Sequence, residues 1–356
     1  MEKNLIEIDG RSGGQSLRTA LALSVVLNKP TLVFNIRANR PKKGLAQQHL
    51  TALNTLAKIS KAKVKGNFIE SKRIVFFPKK INSGNYSVNI GTAGSITLLL
   101  QSITLPLIFS EEKTSFRIFG GTDVPFSPPF NYTNEVFLPF ISSMGAKFSL
   151  KLKRRGYYPK GNGLILFTKI SSKLPLTSFN KVKQNNLDYI KIIAHSTGYP
   201  KQAPENLLLT AKNALSEKLP NIHLEEIIEF NEAIEAKGAG ITLIAVFKDK
   251  TRIGASALQE KNKPAAKTVL TAVNSLLTEL NSNKPVDEHL SDQIIPFMAL
   301  AKGHSTFETS LLSHHTLNNI SVTEKFLDVK FEVKGKVNEP AEISVKGIGF
   351  KGAENG

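Results

Sequence analysis

The fold is set first by the stretch Asp9-Gly10-Arg11-Ser12-Gly13-Gly14-Gln15-Ser16-Leu17-Arg18, a small-residue turn between two apolar segments. Leu5–Ile8 before it predicts a short strand, and Ser16–Leu27 after it is apolar at helical spacing. The glycines allow backbone N–H groups to approach an anion at the positive end of the helix. A plain strand-to-helix turn explains the same glycines, and the spacing matches neither a dinucleotide-binding fingerprint nor a Walker loop. Taken alone, the stretch predicts strand, turn and helix, with anion binding as an open alternative.

The same pattern returns farther along the chain. Tyr86–Ile90 predicts a strand, Gly91–Ser95 a small-residue turn, and Ile96–Phe109 an apolar helix. Further strands and a helix follow each of the two turns, so the recurrence suggests internal repeats of about four strands and two helices. The sequence therefore predicts an α+β fold in which helices pack on mixed sheets.

Two polar, irregular segments, Lys173–Asp188 and Asn281–Asp287, divide the chain. The block between them has its own strand patterns and two helical patterns, at Pro204–Leu219 and Pro264–Leu280. Because this block holds a complete set of strands and helices, we expect it to be an inserted domain.

The composition indicates a polyanionic partner. Lys and Arg total 47 against 29 Asp and Glu among 356 residues, which gives a net charge of +18 at pH 7. Such an excess makes nucleic acid the first candidate partner and a phosphorylated small molecule the second. A lysine-rich surface that reflects genome or habitat gives the same count. The chain has no Cys, which excludes disulfides, thiolate metal sites and a cysteine nucleophile.

The sequence also predicts where the protein is found. The N-terminal residues lack the pattern of a secretory signal, and no apolar run reaches the roughly 18 to 20 residues that a membrane span needs. We therefore expect a cytoplasmic protein without a membrane partner.

Two basic segments are candidates for phosphate contacts. Arg37–Gly44 contains four cations in a loop broken by Pro and Gly, and Gln47-Gln48-His49 follows it. Guanidinium groups suit bidentate contacts with phosphate, while a solvated basic loop is the alternative. Lys153–Gly163 interleaves basic residues with two adjacent tyrosines. That pattern suggests phosphate contacts and a stacked base, with an ordinary long hairpin loop as the alternative.

Two more segments place polar side chains after small-residue turns. Gly91–Ser95 precedes the helix that carries Gln101, and a plain turn is an equally good interpretation. Asp123 follows the pair Gly120-Gly121. An Asp in that position is more often a turn residue or a helix cap than a catalyst.

The last candidates are histidines and their neighbours. His289-Leu290-Ser291-Asp292-Gln293 opens a predicted helix, and Ser313–Ile320 contains the adjacent residues His314 and His315. Adjacent histidines rarely bind one metal ion together, whereas a neutral imidazole is a competent nucleophile towards phosphorus. From composition alone, a pair of polar loop histidines is the plainer interpretation.

These segments, in this order, resemble the RNA 3′-terminal phosphate cyclase family. The residues that carry the resemblance span nearly the whole chain: Ile36–Ala38 with Gly44-Leu45 and Gln48–Ala52, Gly94-Ser95 with Leu98–Gln101, Gly120–Asp123 with Ser127–Pro129, Arg155-Gly156 with Tyr158-Pro159 and Gly161, Asp292-Gln293 with Met298–Ala301, and His315 with Asn319-Ile320. The resemblance implies a core of repeated βαβαββ units, similar to that of enolpyruvyl transferases, with a smaller inserted α/β domain. We expect the first part of the core at residues 1–182, the inserted domain at residues 183–284, and the part that carries the nucleophile at residues 285–356.

The resemblance also implies an ATP-dependent enzyme whose partner is RNA with a 3′-terminal phosphate. A histidine attacks the α-phosphorus of ATP and expels pyrophosphate, and AMP then passes to the RNA 3′-phosphate. The vicinal 2′-hydroxyl displaces AMP and leaves a 2′,3′-cyclic phosphate. His315 matches the family's nucleophile, whereas His314 has no counterpart and is expected to be structural or solvent-facing.

Two sets of side chains match other functional positions of the family. The positions that contact ATP are matched by Gln101, His289, Leu290, Ser291, Asp292 and Gln293. The polar positions around the reacting phosphates are matched by Gln15, Arg18, Arg37, Arg40, Gln48 and His49. Such side chains suit the stabilisation of negative charge that develops as pyrophosphate leaves.

The first loop departs from the family pattern. It is shorter, and Arg11 stands where the family has an acidic residue that helps to hold a divalent cation. The reversed charge should repel Mg²⁺ or Mn²⁺. Three outcomes are open: Asp9 or Asp123 takes over, ATP itself holds most of the cation, or activity is reduced. His289 is a smaller departure, because the family tends to place an aromatic residue there.

Two other functions remain open from the sequence. One is a catalytically impaired cyclase-like protein that binds RNA in RNA processing or ribosome biogenesis; such relatives keep the fold and lose the nucleophile, so His315 argues against it. The other is a plain RNA-binding module without ATP, which leaves the matches at Gln101 and His289–Gln293 unexplained.

Overall fold

The computed structural model describes residues 5–232 and 236–352. In these two ranges the chain forms four sheets of four strands each, together with helices that pack on them. The predicted α+β class is therefore confirmed. No helix in the same two ranges is long and apolar enough to cross a membrane.

The first sheet lies next to the turn between Asp9 and Gly14. Its strands are β1 (Ile6–Asp9), β2 (Thr31–Phe34), β3 (Lys63–Lys65) and β4 (Ile74–Phe77). Helix α1 (Gly14–Leu27) joins β1 to β2, and α2 (Gln47–Ile59) joins β2 to β3. The order is β1-β2-β4-β3, with β1 parallel to β2 and the other pairs antiparallel. A crossover connection such as α1 is what a parallel pair requires.

The second sheet has the same pattern of pairing. Its strands are β5 (Asn85–Asn89), β6 (Thr114–Gly120), β7 (Ala146–Arg154) and β8 (Gly163–Ser172), in the order β5-β6-β8-β7. Helix α3 (Ile96–Ile108) joins the parallel pair β5 and β6, and the other pairs are antiparallel.

The helical region after β6 is interrupted by a π-helical turn. The chain forms α4 (Phe130–Tyr132), a π turn (Thr133–Phe137) and α5 (Leu138–Ser143) in succession. Pro139 explains the interruption, because it has no N–H group to donate to the carbonyl four residues earlier.

Another sheet lies within the predicted inserted domain. Its strands are β10 (Leu187–Thr197), β11 (His223–Asn231), β12 (Gly238–Phe247) and β13 (Arg252–Leu258), and its helices are α6 (Gln202–Lys218) and α7 (Ala265–Asn281). The order is β11-β10-β12-β13, with β10 parallel to β11. These elements enclose a buried apolar cluster, while Ile244 and Val246 of β12 belong to the larger cluster that fills the rest of the molecule.

The remaining sheet joins distant parts of the chain. Its strands are β9 (Asn180–Lys181), β14 (Lys302–Thr309), β15 (Glu332–Gly335) and β16 (Ala341–Ile348). The order is β15-β16-β14-β9, and β9 is parallel to β14. Helices α8 (Glu288–Leu300) and α9 (His314–Phe326) flank β14 in sequence. The division into residues 1–182, 183–284 and 285–356 stays a prediction.

Candidate active site

The N-terminus of α1 is open to an anion. Gly13 precedes the helix at φ 141° and offers no side-chain cap, and the first turn has no acidic residue. A Cβ atom on Gly14 would lie 2.2 Å from Nε2 of His49 and 3.2 Å from an Nη atom of Arg18. Only glycine therefore allows these two side chains to approach the first turn so closely. Because the first N–H groups of a helix lack internal partners, this end attracts negative charge.

Helix α2 supplies Gln48 and His49 from the opposite side. The Oε1 atom of Gln48 accepts a hydrogen bond from the Ser95 N–H group at 3.3 Å, which ties α2 to the turn before α3. The Nδ1 atom of His49 accepts from the Ala46 N–H group at 3.3 Å. Burial, with the charges of Arg18 and Arg37 as further causes, lowers the pKa of His49 to about 3. The ring is therefore neutral, with its proton on Nε2, the nitrogen that faces Gly14.

A pocket lies between α1, α3, α8 and α9. It is lined by polar side chains from all four helices: Gln15, Arg18, Thr19, Gln101, Asp292, Gln293 and Asn319. Five of these side chains, all except Thr19 and Asn319, are sequence-predicted site residues. The structure thus brings them together from segments far apart in the chain.

Charge in the pocket is only partly balanced. Burial lowers the pKa of Arg18 to about 10, and the acid that opposes this shift is Asp292. Burial raises the pKa of Asp292 to about 6, against a hydrogen bond from Gln15 and the charges of His289 and Arg18. The Oε1 atom of Gln15 is buried without a hydrogen-bond partner. The pocket therefore offers a cation and an unused acceptor to a ligand.

Sequence reasoning assigned no role to Thr19 and Asn319. The Thr19 hydroxyl donates to Oδ1 of Asn319 at 2.7 Å, and Nδ2 of Asn319 donates to the Asp292 carbonyl oxygen at 2.6 Å. This buried bridge holds α1, α8 and α9 together. One signal was present, because Asn319 lies four residues after His315 and therefore on the same face of a helix.

His315 is the second residue of α9, and its side chain is exposed. After Ser310, the sequence predicts a helix only at Val322–Leu327 and places both histidines in a loop. That prediction is wrong, because α9 begins at His314. Ser313 caps α9, accepting from the Thr316 N–H group at 3.1 Å. Partial burial, and then the charges of Arg18 and Arg40, lower the pKa of His315. Its imidazole is therefore neutral at pH 7, with a lone pair available beside a group of cations.

The basic loop after β2 reaches the same place. The guanidinium of Arg40 lies 3.5 Å from the position that a Cβ atom on Gly13 would occupy, and Arg40 is exposed. Arg37 is partly buried at φ 53°, and its side chain donates to the Gly44 carbonyl oxygen at 2.9 Å. Arg40 therefore faces the end of α1, while Arg37 also stabilises its own loop.

The residues at the start of α8 have differing surroundings. Leu290 is buried in the apolar core, and the Ser291 hydroxyl donates to the Glu288 carbonyl oxygen at 2.7 Å and contacts the Thr316 hydroxyl at 3.0 Å. His289 is exposed, and its ring lies 6.2 Å from that of Tyr132. The Leu290 and Ser291 side chains thus pack α8, and the His289 side chain is accessible.

The start of α8 is fixed by Asp287. This buried carboxylate accepts hydrogen bonds from the N–H groups of His289 and Leu290, from the Tyr132 hydroxyl at 2.6 Å and from the Gly254 N–H group at 3.1 Å. Helix α8 consequently begins at Glu288, one residue before the segment His289–Gln293 that the sequence predicts to open a helix.

The carboxylates near the first turn do not fit a divalent cation. Asp9 accepts from the Arg11 guanidinium at 2.7 Å and from the Arg11 N–H group at 3.0 Å. Asp123 is fully buried and accepts from Arg155 at 2.7 Å. In residues 5–232 and 236–352, no group of three or more His, Asp or Glu side chains could hold a metal ion. Both carboxylates that could replace the family's acidic residue are therefore already paired with arginines.

This arrangement suits transfer of a group from a polyphosphate to an imidazole. A neutral, exposed ring lies beside Arg18 and Arg40, at the open N-terminal end of α1. Cations and N–H groups that are already in place stabilise negative charge on phosphate oxygens and on a departing phosphate group.

Comparisons with known proteins agree with the geometry. Residues 9–333 match a family model described as RNA 3′-terminal phosphate cyclase. Curated proteins named RNA 3′-terminal phosphate cyclase align along almost their whole length. The protein from Methanopyrus kandleri is 38% identical over 96% of this chain and 99% of its own. The proteins from Korarchaeum cryptofilum and Methanosarcina barkeri are 40% and 43% identical, over 97% and 93% of this chain and 99% and 97% of their own.

One solved structure matches weakly. The enolpyruvyl transferase NikO from Streptomyces tendae is 6% identical, with a TM-score of 0.21 over 96% of this chain and 81% of that chain. Such a score supports no argument about the fold, so the likeness of the core to enolpyruvyl transferases stays a prediction.

Proposed function

Because this chain belongs to the RNA 3′-terminal phosphate cyclase family, we propose that its site converts an RNA 3′-terminal phosphate to a 2′,3′-cyclic phosphate through an adenylate on His315. The chain is an enzyme of the cyclase class, since its relatives carry that name over nearly the full length. The observation that supports the nucleophile is the neutral, exposed imidazole of His315 beside Arg18 and Arg40.

The first step transfers AMP to the protein. A ring nitrogen of His315 attacks the α-phosphorus of ATP, a P–N bond forms, and the bond to the bridging oxygen breaks, so that pyrophosphate leaves with the electron pair. Arg18, Arg40 and the N–H groups at the start of α1 are placed to stabilise the added charge on the phosphates. Gln101, Asp292 and Gln293 line the neighbouring pocket and are our candidates for holding the nucleotide.

The next two steps use the RNA. An oxygen of its 3′-terminal phosphate attacks the phosphorus of the histidine-bound AMP, which frees the imidazole and forms a phosphoanhydride between RNA and AMP. The vicinal 2′-hydroxyl then attacks the 3′-phosphorus, AMP leaves, and the 2′-hydroxyl proton is lost. The balance is one ATP consumed, with AMP and pyrophosphate released. The neutral ring of His49 beside Gly14 is placed to donate a hydrogen bond to a phosphate oxygen.

We propose that Mg²⁺ or Mn²⁺ reaches this site bound to the phosphates of ATP rather than to protein carboxylates. The ion pair of Asp9 with Arg11 and the burial of Asp123 support this proposal. The cytoplasmic location stays a prediction.

We interpret the sheet arrangement as repeated βαβαββ units with an inserted domain. Each of the three sheets outside residues 183–284 contains one parallel pair and two antiparallel pairs. The apolar cluster that β10–β13, α6 and α7 enclose supports the insertion at residues 183–284.

The alternative is a catalytically impaired cyclase-like protein that binds RNA in RNA processing or ribosome biogenesis. It is not favoured, because His315 is present, is exposed and lies among the cations that a phosphate-transfer site requires.

Incubation with ATP labelled at the α-phosphate tests the first step. The wild-type protein should retain label in a bond that is stable to base and labile to acid, as a P–N bond is. His315→Ala should retain none. His314→Ala is the matched control, because it removes an exposed imidazole one residue away, and it should label as the wild type does.

Two results would contradict the proposal. One is a wild-type protein that never acquires label with Mg²⁺ or Mn²⁺ present, and the other is label that survives in His315→Ala. Conversion of an RNA 3′-phosphate to a product resistant to phosphatase then measures the whole reaction in the same preparations.

A further inference from the structure

Two aromatic side chains are exposed on neighbouring loops beside the candidate active site. Phe126 is fully exposed and Tyr158 is 69% exposed. Large aromatic rings are normally buried, since each removes 150–250 Å² of surface from water. The exposure of two such rings on adjoining loops therefore indicates a contact surface.

The two loops are held side by side by the backbone. The N–H groups of Thr122 and Asp123 both donate to the Gly156 carbonyl oxygen, at 2.8 and 3.1 Å. A parallel bridge pairs Asp123 with Tyr157, the residue before Tyr158. Phe126 follows Asp123 by three residues, so the two rings project from the same fixed pair of loops.

Only one of the two adjacent tyrosines is available for stacking. Tyr157 is buried, and its hydroxyl is hydrogen-bonded to Nδ1 of His195 at 2.8 Å. Tyr158 faces solvent, and Lys153 and Lys160 of the same hairpin are exposed. Tyr157 thus anchors the loop, while Tyr158 is accessible and has cations near it.

The loops also contact the phosphate end of the site. The Gly121 N–H group donates to the Gly94 carbonyl oxygen at 2.9 Å, and the Ile96 N–H group donates to the Gly121 carbonyl oxygen at 2.8 Å. Gln48 contacts the same turn through Ser95. Phe126 is five residues from Gly121, so their Cα atoms lie within about 17 Å of each other at full extension.

We propose that Phe126 and Tyr158 form a stacking platform for unpaired bases of the RNA, a short distance upstream of its 3′-terminal phosphate. Aromatic faces stack on any base, and neighbouring lysines bind the phosphates between bases. The direction of the strand rests on the proposed function, because it places the 3′-phosphate at His315. The platform accounts for two exposed rings, the surrounding lysines and the net charge of +18.

Affinity for RNA and the rate of AMP transfer, measured in the same variants, test the platform. Phe126→Ala and Tyr158→Ala should each weaken binding of a single-stranded RNA 3′-phosphate of about ten nucleotides by about 5- to 10-fold. Phe126→Tyr and Tyr158→Phe keep a ring and should bind as the wild type does. Leu209→Ala removes an exposed apolar side chain on α6 and should have no effect. Fluorescence anisotropy measures binding, and thermal unfolding verifies that each variant is folded.

A second comparison uses the length of the substrate. A nucleoside 3′-phosphate has no upstream base, so its KM should be equal in the wild type and in both alanine variants. The KM for the longer RNA should rise in the alanine variants, and labelling of the protein by ATP should be unchanged in them.

Three outcomes would overturn the platform. They are unchanged RNA affinity in both alanine variants, equal losses in the ring-retaining variants, and loss of ATP labelling in the alanine variants. Unchanged affinity combined with loss of a wild-type dimer in sedimentation would assign the rings to contacts between copies of this chain. Absence of ATP labelling in the wild type would instead contradict the proposed function, and the anisotropy result would still decide on the platform.

Discussion

Arg18 and Arg155 are two arginines withdrawn from water in opposite electrostatic surroundings. The Arg155 guanidinium donates to Asp123 at 2.7 Å, to Asn131 at 3.1 Å, and to Glu229. Although burial opposes it, the nearby acids hold the pKa of Arg155 above its ordinary range. Each nitrogen of this guanidinium thus donates to an acceptor that the fold itself supplies.

Around Arg18 the balance is reversed. Burial lowers its pKa to about 10, and the acid that opposes this shift, Asp292, has a pKa raised by burial to about 6. The neighbours His49, Arg37 and Arg40 bring no negative charge. A fully compensated cation stabilises the fold, whereas a partly compensated one marks a place that an anionic substrate completes.

Two histidines repeat this contrast. Burial lowers the pKa of His195 to about 3, and its ring is fully buried between Tyr157 and Asp123. The pKa of His315 is also lowered, but its ring is exposed at the start of α9. A lowered pKa therefore indicates a nucleophile only where the ring is accessible, and this combination singles out His315.

The largest effect should come from removing the compensated cation. Arg155→Met leaves Asp123 buried without its partner, so the free energy of unfolding should fall by about 3–5 kcal/mol. Urea unfolding followed by circular dichroism at pH 7 measures it. Asp123→Asn combined with Arg155→Met removes both charges and should recover more than half of the loss. If the free energy of unfolding of Arg155→Met lay within about 1 kcal/mol of the wild-type value, the pair of Arg155 and Asp123 would contribute no more than an ordinary surface ion pair.

Removal of the partly compensated cation should affect the chemistry instead. Arg18→Met should slow transfer of AMP to the protein by about 100- to 1000-fold, because the charge that develops on the phosphates loses a fixed cation. Its free energy of unfolding should not fall, because the burial that lowers the pKa of Arg18 to about 10 already disfavours the charged guanidinium in the folded state. Initial rates of labelling by ATP, together with urea unfolding, measure both quantities.

An exposed arginine outside the site provides the control for Arg18→Met. Arg117→Met removes a guanidinium that lies 5.1 Å from the ring of Phe119, and it should leave the labelling rate unchanged. If Arg18→Met destabilised the protein as much as Arg155→Met, the distinction between the two arginines would be lost.

Parts of the fold with strong apolar periodicity could be predicted from the sequence. Helices α1 and α3 are buried along most of their length, so their sequences carry a continuous apolar signal. Helix α9 begins with mainly polar residues and has no such signal, so its first two turns were missed. The Ser313 cap and the contacts of Thr316 and Asn319 with other helices stabilise that region, and they exist only in the folded chain.

The candidate site was predictable to a similar extent. Charged and amide side chains stood out in the sequence, and resemblance to a family assigned their roles. Thr19 carries no charge, and its hydrogen bond joins it to Asn319, a residue 300 positions away. The ion pair of Arg11 with Asp9 was missed too, because pairing of neighbouring residues in a turn depends on backbone angles that composition does not specify.

The smallest effect concerns the acid next to Arg18. Burial raises the pKa of Asp292 from its ordinary value of 3.8 to about 6. A carboxyl group with a higher pKa in the folded state binds its proton more tightly there. Its contribution to stability is therefore present below pH 3.8 and is lost as the pH rises through 6. At pH 7 the ionised Asp292 should destabilise the fold by about 1–2 kcal/mol, a range reduced for screening at this partly buried site.

Asp292→Asn removes the ionisable carboxyl and tests the comparison between the two arginines. The variant should be more stable than the wild type by about 1–2 kcal/mol at pH 7 and nearly equal to it at pH 4. Urea unfolding of both proteins at the two pH values measures the difference, and Glu217→Gln, at an exposed carboxylate, should show none. If Asp292→Asn were instead less stable at pH 7, Asp292 would stabilise Arg18 as Asp123 stabilises Arg155. The cation beside His315 would then already be compensated, and it would no longer mark the place of a phosphate.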